Sequence, residues 1–290
     1  MASTDSAGVN KTYFDDQASE YDSKHRKMNE RIMREMQARL DFIGVDWADE
    51  EESDEDDGKA VTEKPPRREV RLLDYACGTG MVSRAIAPYV TRCVGIDVSE
   101  NMVAAYNKVA ENQGLSQEEM HAVVGDLAVS DQPNPPALSA PDFYSFDIAA
   151  VGGGFHHFGD PELAAQRLVE RLRPGGVLLI WDFLPHGPFG HGHSSHGHGQ
   201  EHGHGHGHHG HQHSEPPEHG LHNAQHTVMH HGFNEERITK IFTDAGAGKD
   251  FKLEVIGKGF LLGHESLEEG EGGGKEGLRR QIFFARGTKG

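Results

Sequence analysis

The sequence has little cysteine, a deficit of basic residues and no long hydrophobic run. Its two cysteines, Cys77 and Cys93, offer no disulfide framework, which predicts a reducing compartment, cytoplasmic with a nuclear location left open. The 28 basic and 46 acidic residues give a net charge of −18, which argues against nucleic-acid binding through a basic face. With no early apolar segment and no apolar run of about 18 residues, we expect neither a standard secretion signal nor a membrane span.

An acidic segment lies about one sixth of the way along the chain. Every residue from Asp49 to Asp57 except Ser53 is acidic, and Pro65-Pro66 follows. Like charges repel one another and stay solvated, so the composition predicts a flexible linker over residues 48–67. A docking or phosphorylation site for a protein partner, centred on Ser53, is the alternative interpretation.

A second polar segment, residues 186–231, holds 17 histidines in 46 positions, many alternating with glycine. It has almost no apolar residue to bury, so we expect it to be disordered when empty. Neutral imidazoles bind zinc, nickel or copper, which makes the tract a candidate metal-binding region and a second candidate surface for a protein partner. The candidate metal ligands are His191, His193, His196, His198, His202, His204, His206, His208, His209, His211 and His213.

The first 47 residues are expected to form an N-terminal helical cap segment. Residues 1–10 are small and polar and are predicted to be disordered, and three aromatic side chains follow between Tyr13 and Tyr21. Apolar residues then recur at helical spacing, which predicts an amphipathic helix. They are Met28, Ile32, Met36, Leu40 and Ile43.

Residues 68–185 alternate between short apolar runs and helical or turn segments. This alternation predicts an α/β fold with a doubly wound, mostly parallel, Rossmann-like sheet. The predicted strands are Val70–Tyr75, Cys93–Ile96, Ala122–Val124, Phe146–Val151 and Val177–Trp181. Ser99 and Asp160 are expected to cap helices, Asp160 ahead of a proline at the first helical position. The stretch 131–142 holds four prolines and is expected to be a loop where a crossover helix would otherwise lie.

Regular structure is predicted to resume over residues 232–290, as the C-terminal part of the same domain. Asn234 is a candidate cap for a helix that ends before Gly246. Phe251–Ile256 and Gln281–Ala285 then follow each other without an intervening helix. Two such strands predict an antiparallel hairpin at one edge of a seven-stranded sheet.

The segment from Leu72 to Gly80 is a buried strand that runs into a glycine loop, a junction at which backbone can approach a ligand closely. Asp97 lies 17 residues after Gly80, at the end of the next strand, where its carboxylate can accept both hydroxyls of a ribose. The dinucleotide fingerprint needs a third glycine, and Ser83 occupies that position. Asp74 would repel a pyrophosphate but suits an ammonium group. These features favour S-adenosylmethionine.

Several motifs together resemble those of the class I S-adenosylmethionine-dependent methyltransferases. They are Leu72 to Gly80, Gly95-Ile-Asp-Val-Ser, Val124-Gly-Asp-Leu, Phe146-Asp-Ile, His156-His157-Phe158, Leu172-Arg-Pro-Gly-Gly and Gly232-Phe-Asn-Glu-Glu. The resemblance covers roughly residues 68–182 and 230–287 and is strongest to the small-molecule enzymes that include those of ubiquinone and menaquinone biosynthesis. It implies methyl transfer to an unidentified small-molecule acceptor. The alternative is a metal-binding or regulatory protein that keeps the fold without turnover.

The resemblance also implies which residues bind the cofactor. Asp74 would orient its amino group, Asp97 its ribose and Asp126 its adenine, with Gly152 and Gly153 beneath the sulfonium. The full set of implied cofactor residues is Tyr13, Tyr21, Asp74, Ala76, Cys77, Gly78, Thr79, Gly80, Asp97, Val98, Met102, Gly125, Asp126, Leu127, Gly152 and Gly153.

The sulfonium is an activated leaving group, so the protein has mainly to position a nucleophile in line with the methyl carbon. A base is needed only if the nucleophile arrives protonated. His156 and His157 are the candidates, because imidazole titrates near neutral pH and both follow the fourth strand. The alternative is that these histidines only pack or form hydrogen bonds in the loop.

Overall fold

The computed structural model describes residues 6–48, 68–185, 226–261 and 279–290. The helices are α1 (Ser6–Gln17), α2 (Tyr21–Gln37), α3 (Leu40–Ile43), α4 (Met81–Ile86), α5 (Glu100–Asn112), α6 (Pro161–Arg171) and α7 (Glu235–Asp244). The strands are β1 (Arg71–Tyr75), β2 (Arg92–Asp97), β3 (Met120–Val124), β4 (Phe146–Gly152), β5 (Leu172–Phe183), β6 (Lys249–Leu261) and β7 (Arg279–Thr288).

The strands form one seven-stranded sheet in the order β3-β2-β1-β4-β5-β7-β6. Pairings among β1 to β5 are parallel, and β7 pairs antiparallel with both β5 and β6. The predicted mostly parallel sheet with an antiparallel edge hairpin is therefore confirmed. Strand order reverses between β1 and β4, so the carboxyl ends of these two strands border a crevice, the usual ligand position in such sheets.

Each face of the sheet is covered by its own hydrophobic core. On one face, α4 and α5 pack together with α2 and α3 of the cap segment, with Met36 and Tyr106 fully buried. On the other face, α6 and α7 pack with Phe155 and Phe233 at the centre. The predicted caps are present, since Ser99, Asp160 and Asn234 each accept a backbone N–H at the start of their helix.

Two predictions of disorder are wrong where the structure describes the residues concerned. Residues 6–10, predicted to be disordered, form the first part of α1, and Asn10 is buried against the domain. Residues 226–231, assigned to the disordered insertion, hold the 1% exposed Thr227, whose carbonyl oxygen bonds His157. In both cases tertiary contacts stabilise a segment whose own composition gives no signal of order.

The predicted loop between β3 and β4 has two short 3₁₀ turns, Pro136–Leu138 and Pro141–Phe143, instead of an α-helix. Arg171, only 2% exposed, holds it in place. Its guanidinium donates to the carbonyl oxygens of Leu138 and Phe143 and lies 4.1 Å from the centroid of the Tyr144 ring. One cation from α6 thus pairs with two backbone carbonyl groups of the loop.

Several predictions fall outside the described residues. The acidic segment 49–57 and the candidate metal ligands from His191 to His213 are among them. Within the described ranges, no helix is long and apolar enough to cross a membrane.

We predict that replacing Arg171 by alanine lowers the free energy of unfolding by about 3 kcal/mol, because buried carbonyl groups lose a charged donor. Urea denaturation followed by circular dichroism measures this. Arg26→Ala is the matched control, since Arg26 is exposed and pairs with Glu30 on the same helix, and it should cost less than about 1 kcal/mol. Equal losses in the two variants would contradict the role of Arg171.

Candidate active site

A cavity of about 320 Å³ opens at the carboxyl ends of β1, β2 and β4, where the strand order reverses. The loops after these strands and after β3 form its floor, and α1 and the start of α2 cover it. Its lining residues are Ser6, Ala7, Asn10, Phe14, Tyr21, Tyr75, Ala76, Gly78, Asp97, Val98, Met102, Asp126, Ala128, Val129, Ser130, Gly152, Gly153, Gly154, His157, Phe158, Gly159 and Asp160.

The loop after β1 leaves room for a ligand at Gly78. This residue has φ +50°, and a Cβ added to it would meet no atom within 4 Å. Ala76, two residues earlier, also has a positive φ of 53°, which is uncommon for a residue with a side chain. The loop therefore holds a backbone geometry that exposes its surface to open space.

Asp97, at the end of β2, joins this loop to the start of α5. Its Oδ2 accepts the N–H of Gly78 at 2.8 Å, and its Oδ1 accepts the N–H of Ser99 at 2.9 Å. Burial raises the pKa of Asp97, and the backbone hydrogen bonds offset only part of this increase. The N–H of Val98 also bonds this carboxylate, and an ionised carboxylate offers about four acceptor positions, so Asp97 keeps capacity for at least one more donor.

Asp74 is the next-to-last residue of β1 and lies beside the cavity without lining it. Its Oδ2 accepts both the N–H and the hydroxyl of Ser83, at 3.0 and 2.7 Å. Its Oδ1 is buried without a hydrogen-bond partner, and burial raises the pKa of Asp74 to about 7. An unpaired buried carboxylate oxygen is costly, and a cation close to it would lower that cost.

Tyr75 and Asp126 connect β1 to the loop after β3. The Tyr75 hydroxyl donates to Oδ1 of Asp126 at 2.6 Å and accepts the N–H of Leu127 at 3.2 Å. Asp126 Oδ1 also accepts the N–H of Ala128 at 2.8 Å. The carboxylate is thus fixed at the cavity wall through one oxygen, and Oδ2 takes part in none of these bonds.

The loop after β4 approaches the cavity through Gly152, where no side chain would fit. A Cβ on Gly152 would lie 2.7 Å from Nε1 of Trp181 and closer still to Val82. Trp181 packs behind the loop, and its Nε1 is buried without an acceptor. The indole therefore fixes the position of the glycine backbone from the side opposite the cavity.

The two histidines after β4 have different surroundings. His156 is buried, with Nδ1 at 2.8 Å from Oδ1 of Asp182, and does not line the cavity. His157 lines the cavity, and its Nδ1 lies 2.8 Å from the carbonyl oxygen of Thr227. Because a carbonyl only accepts, Nδ1 of His157 carries the proton and Nε2 is the ring's acceptor. Burial, and the adjacent His156, lower the pKa of His157 to about 3.

Helix α1 is bonded to the start of α5, which Asp97 also contacts at the floor of the cavity. Asp15 Oδ1 accepts the hydroxyl of Ser99 at 2.6 Å and the N–H of Asn101 at 3.1 Å. Asn10, in the second turn of α1, donates from Nδ2 to the carbonyl oxygen of His157 at 3.0 Å. These contacts fix α1 across the cavity mouth between α5 and the loop after β4.

Part of the predicted cofactor set meets in the cavity, namely Tyr21, Ala76, Gly78, Asp97, Val98, Met102, Asp126, Gly152 and Gly153. The other predicted positions lie around it and do not line it, namely Tyr13, Asp74, Cys77, Thr79, Gly80, Gly125 and Leu127. Thr79, for example, donates its hydroxyl to Asp22 of α2 at 2.6 Å.

Twelve residues that line the cavity were not among the predicted site residues, namely Ser6, Ala7, Asn10, Phe14, Tyr75, Ala128, Val129, Ser130, Gly154, Phe158, Gly159 and Asp160. Phe14 and Tyr75 could have been found, because Phe14 belongs to the aromatic cluster at the N-terminus and Tyr75 ends the glycine-loop strand. Ser6, Ala7 and Asn10 carry no such signal.

Within the ranges described, no group of three or more histidine, cysteine or acidic residues is arranged to hold a metal ion.

Comparison with known proteins gives one family description. The family model described as "Methyltransferase domain" matches residues 73–178. An uncharacterized methyltransferase of Schizosaccharomyces pombe is 29% identical over 188 residues, which cover 64% of this chain and 55% of that protein. The demethylmenaquinone methyltransferase of Thermus thermophilus is 34% identical over 126 residues, covering 42% and 50%. The chain thus spans about half the length of the curated relatives it matches.

A solved structure matches over nearly the whole chain. It belongs to the complex between the Haloferax volcanii Trm112 methyltransferase activator and the putative methyltransferase. The match covers 95% of this chain and 96% of that one, with a TM-score of 0.52 and 15% sequence identity. At this identity the likeness shows the shared fold alone.

The raised pKa of Asp74 predicts a pH dependence of stability. Its ordinary value is 3.8 and its folded value about 7, so the folded state binds a proton that the unfolded state releases. Its contribution to stability is fully present below the ordinary pKa and is lost as the pH rises through 7. Asp74→Asn should remove this component, which urea denaturation across that pH range measures as the difference between variant and wild type. If the free energy of unfolding depended on pH in the same way in both proteins, Asp74 would not be the group that binds this proton.

The matched residues 73–178 include the glycine loop and the acidic residues that end β2 and follow β3. They also include most of β1 and all of β4, the two strands between which the strand order reverses. The relatives in sequence carry methyltransferase names. Residues 73–178 of the chain therefore carry the features of a methyltransferase domain.

Proposed function

We propose that this protein transfers a methyl group from S-adenosylmethionine to a small-molecule acceptor. The observation that carries the proposal is the cavity at the β1–β4 switch point, where Gly78 leaves open space beside the Asp97 carboxylate. Its volume of about 320 Å³ falls in the range of ordinary ligand sites, about 300–1,000 Å³. Coverage by α1 supports a small acceptor over a large folded one.

The residues of the cavity fit the separate parts of the cofactor. Asp97 has acceptor capacity left for ribose hydroxyls, and Val98 and Met102 offer apolar contact for an adenine ring. Asp126 Oδ2 would accept the exocyclic amine of that ring. Burial raises the pKa of Tyr21 to about 12, so its hydroxyl stays protonated and can donate to the cofactor carboxylate.

Asp74 fits the cationic end of the cofactor. Its Oδ1 has no partner among the described residues, and an ammonium group, directly or through one water, would supply the missing donor. The same group would lower the pKa of Asp74, because an opposite charge favours the ionised carboxylate.

The chemistry makes limited demands on the protein. When bound, S-adenosylmethionine supplies an activated methyl group, and the acceptor atom forms the new bond as the sulfur leaves with the electron pair of the broken C–S bond. The fixed backbone at Gly152 and Gly153 and the covering helix α1 would hold the acceptor in line. His157 stays neutral at physiological pH, and a pKa of about 3 makes it a weak base. Its role as general base stays a prediction, as does that of His156.

Other predictions remain open to experiment. Metal binding by the histidine-rich tract concerns residues outside the described ranges, as does docking of a partner through the acidic segment 49–57. The predicted cellular location is likewise untested.

The direct test is incubation of the purified protein with a metabolite extract and S-adenosylmethionine carrying a labelled methyl group. Mass spectrometry should find at least one labelled product together with S-adenosylhomocysteine. Calorimetry with S-adenosylmethionine should show binding in the same preparation. A protein that neither binds the cofactor nor yields a labelled product would refute the proposed function.

We predict that Gly78→Ala weakens S-adenosylmethionine binding at least about tenfold, because the added methyl group occupies the open space of the cavity. Gly114→Ala is the matched control. Gly114 also has a positive φ, +76°, and open space at its Cβ, but it follows α5 away from the cavity. Both substitutions should cost about 1–2 kcal/mol of stability through backbone strain. Calorimetry that finds equal affinities for the two variants would contradict the placement of the cofactor.

A further inference from the structure

Tyr75, the last residue of β1, links its strand to the loop after β3, although β2 lies between the two strands in the sheet. Its hydroxyl oxygen lies 2.6 Å from Oδ1 of Asp126 and 3.2 Å from the backbone nitrogen of Leu127. Because the N–H of Leu127 can only donate, the hydroxyl accepts from it and gives its own proton to the carboxylate. Tyr75 is buried, and burial holds the pKa of its hydroxyl well above the usual range, so it stays a donor.

Two donors bond the same oxygen of Asp126. Besides the Tyr75 hydroxyl, the N–H of Ala128 donates to Oδ1 at 2.8 Å. Oδ2 bonds no group among the described residues, and it is not one of their buried side-chain atoms that lack a partner, so it reaches the accessible surface. Since Asp126 lines the cavity, these two bonds leave Oδ2 as the oxygen available to a ligand.

Backbone donors of the same loop are already bonded within the protein. The N–H of Gly125 donates to the carbonyl oxygen of Asp97 at 2.9 Å, and those of Leu127 and Ala128 make the two bonds described above. A ring edge that meets Asp126 therefore meets a hydrogen-bond acceptor.

This acceptor suits one purine better than another. Adenine carries an exocyclic amine, which donates, whereas hypoxanthine carries an oxygen in the same position, which accepts. A carboxylate oxygen held in place pairs with the amine and repels the oxygen. A site built to bond one such group rejects the analogue that lacks it, because its own polar group is then left unpaired.

We propose that Tyr75 is a positioning residue that orients Asp126, and that the loop after β3 thereby selects adenine in the cofactor. Tyr75 acts through the carboxylate. This inference rests on the proposed function, since it assigns recognition of the base in the same cavity.

The experiment has two stages, so that the proposed function and the inference fail separately. Calorimetry first measures binding of S-adenosylmethionine and S-adenosylhomocysteine to the full chain. Absence of binding for both would refute the proposed function and remove the inference with it.

The second stage compares S-adenosylhomocysteine with S-inosylhomocysteine, which differ only in the base. The wild-type protein should bind the adenosyl compound at least about tenfold more tightly, a ratio that corresponds to about 1.4 kcal/mol. Equal affinities for the two compounds would overturn the inference and leave the proposed function intact. This comparison does not depend on how any variant folds.

Asp126→Asn tests whether the side chain is oriented. The Tyr75 hydroxyl and the Ala128 N–H are both donors, so they should bond the amide oxygen and place the amide nitrogen where Oδ2 was. Because that nitrogen donates, the variant should prefer the inosyl compound by at least about threefold. A variant that binds the adenosyl compound as tightly as the inosyl compound, or more tightly, would overturn the inference.

Tyr75→Phe, added to Asp126→Asn, tests the positioning role. One of the two donors that orient the amide is then lost, and the preference for the inosyl compound should fall to about half or less. Tyr144→Phe in the same background is the matched control, because the Tyr144 hydroxyl bonds Asn134 and Tyr144 does not line the cavity. A merely structural role of Tyr75 would change both affinities together, so an unchanged ratio would overturn the assignment.

Discussion

The Asp97 carboxylate is the contact on which the site depends. One oxygen holds the glycine loop after β1 through the N–H of Gly78, and the other holds the start of α5 through the N–H of Ser99. Ser99 in turn donates its hydroxyl to Asp15 of α1. A single buried acid thus links the floor of the cavity, the helix beside it and the helix that covers it. Its burial is tolerated because each oxygen is already paired with a backbone donor.

This arrangement links the cap segment to ligand binding. A ribose that donates to Asp97 would share the carboxylate with the bonds that position Gly78 and Ser99. A displacement of Ser99 would also shift Asp15, which it bonds, and with it Asn10 and Phe14, which lie on the same helix. The floor and the cover of the cavity are therefore positioned by connected contacts.

The sequence was sufficient to predict the fold because the relevant signals are local. Apolar runs ending in Asp97 or Gly152 identify strands, and Ser99, Asp160 and Asn234 are caps whose side chains bond residues three positions away. The site was predictable only where residues follow strands. Asn10 and Thr227 are ordered by contacts with His157, 147 and 70 positions away in the chain, and no local pattern records such partners.

The same distinction explains why the motif residues divide into two groups. Asp74, Cys77, Gly80 and Leu127 lie beside the cavity, where they fix the loops through buried contacts, whereas Gly78 and Asp97 face it. Both kinds of position serve the same loops, because a loop that borders a cavity needs its own support. The covered end of the cavity differs in kind, because α1 and residues after β4, outside the glycine-loop motif, line it. The motif therefore accounts for the floor of the cavity, and α1 accounts for its cover.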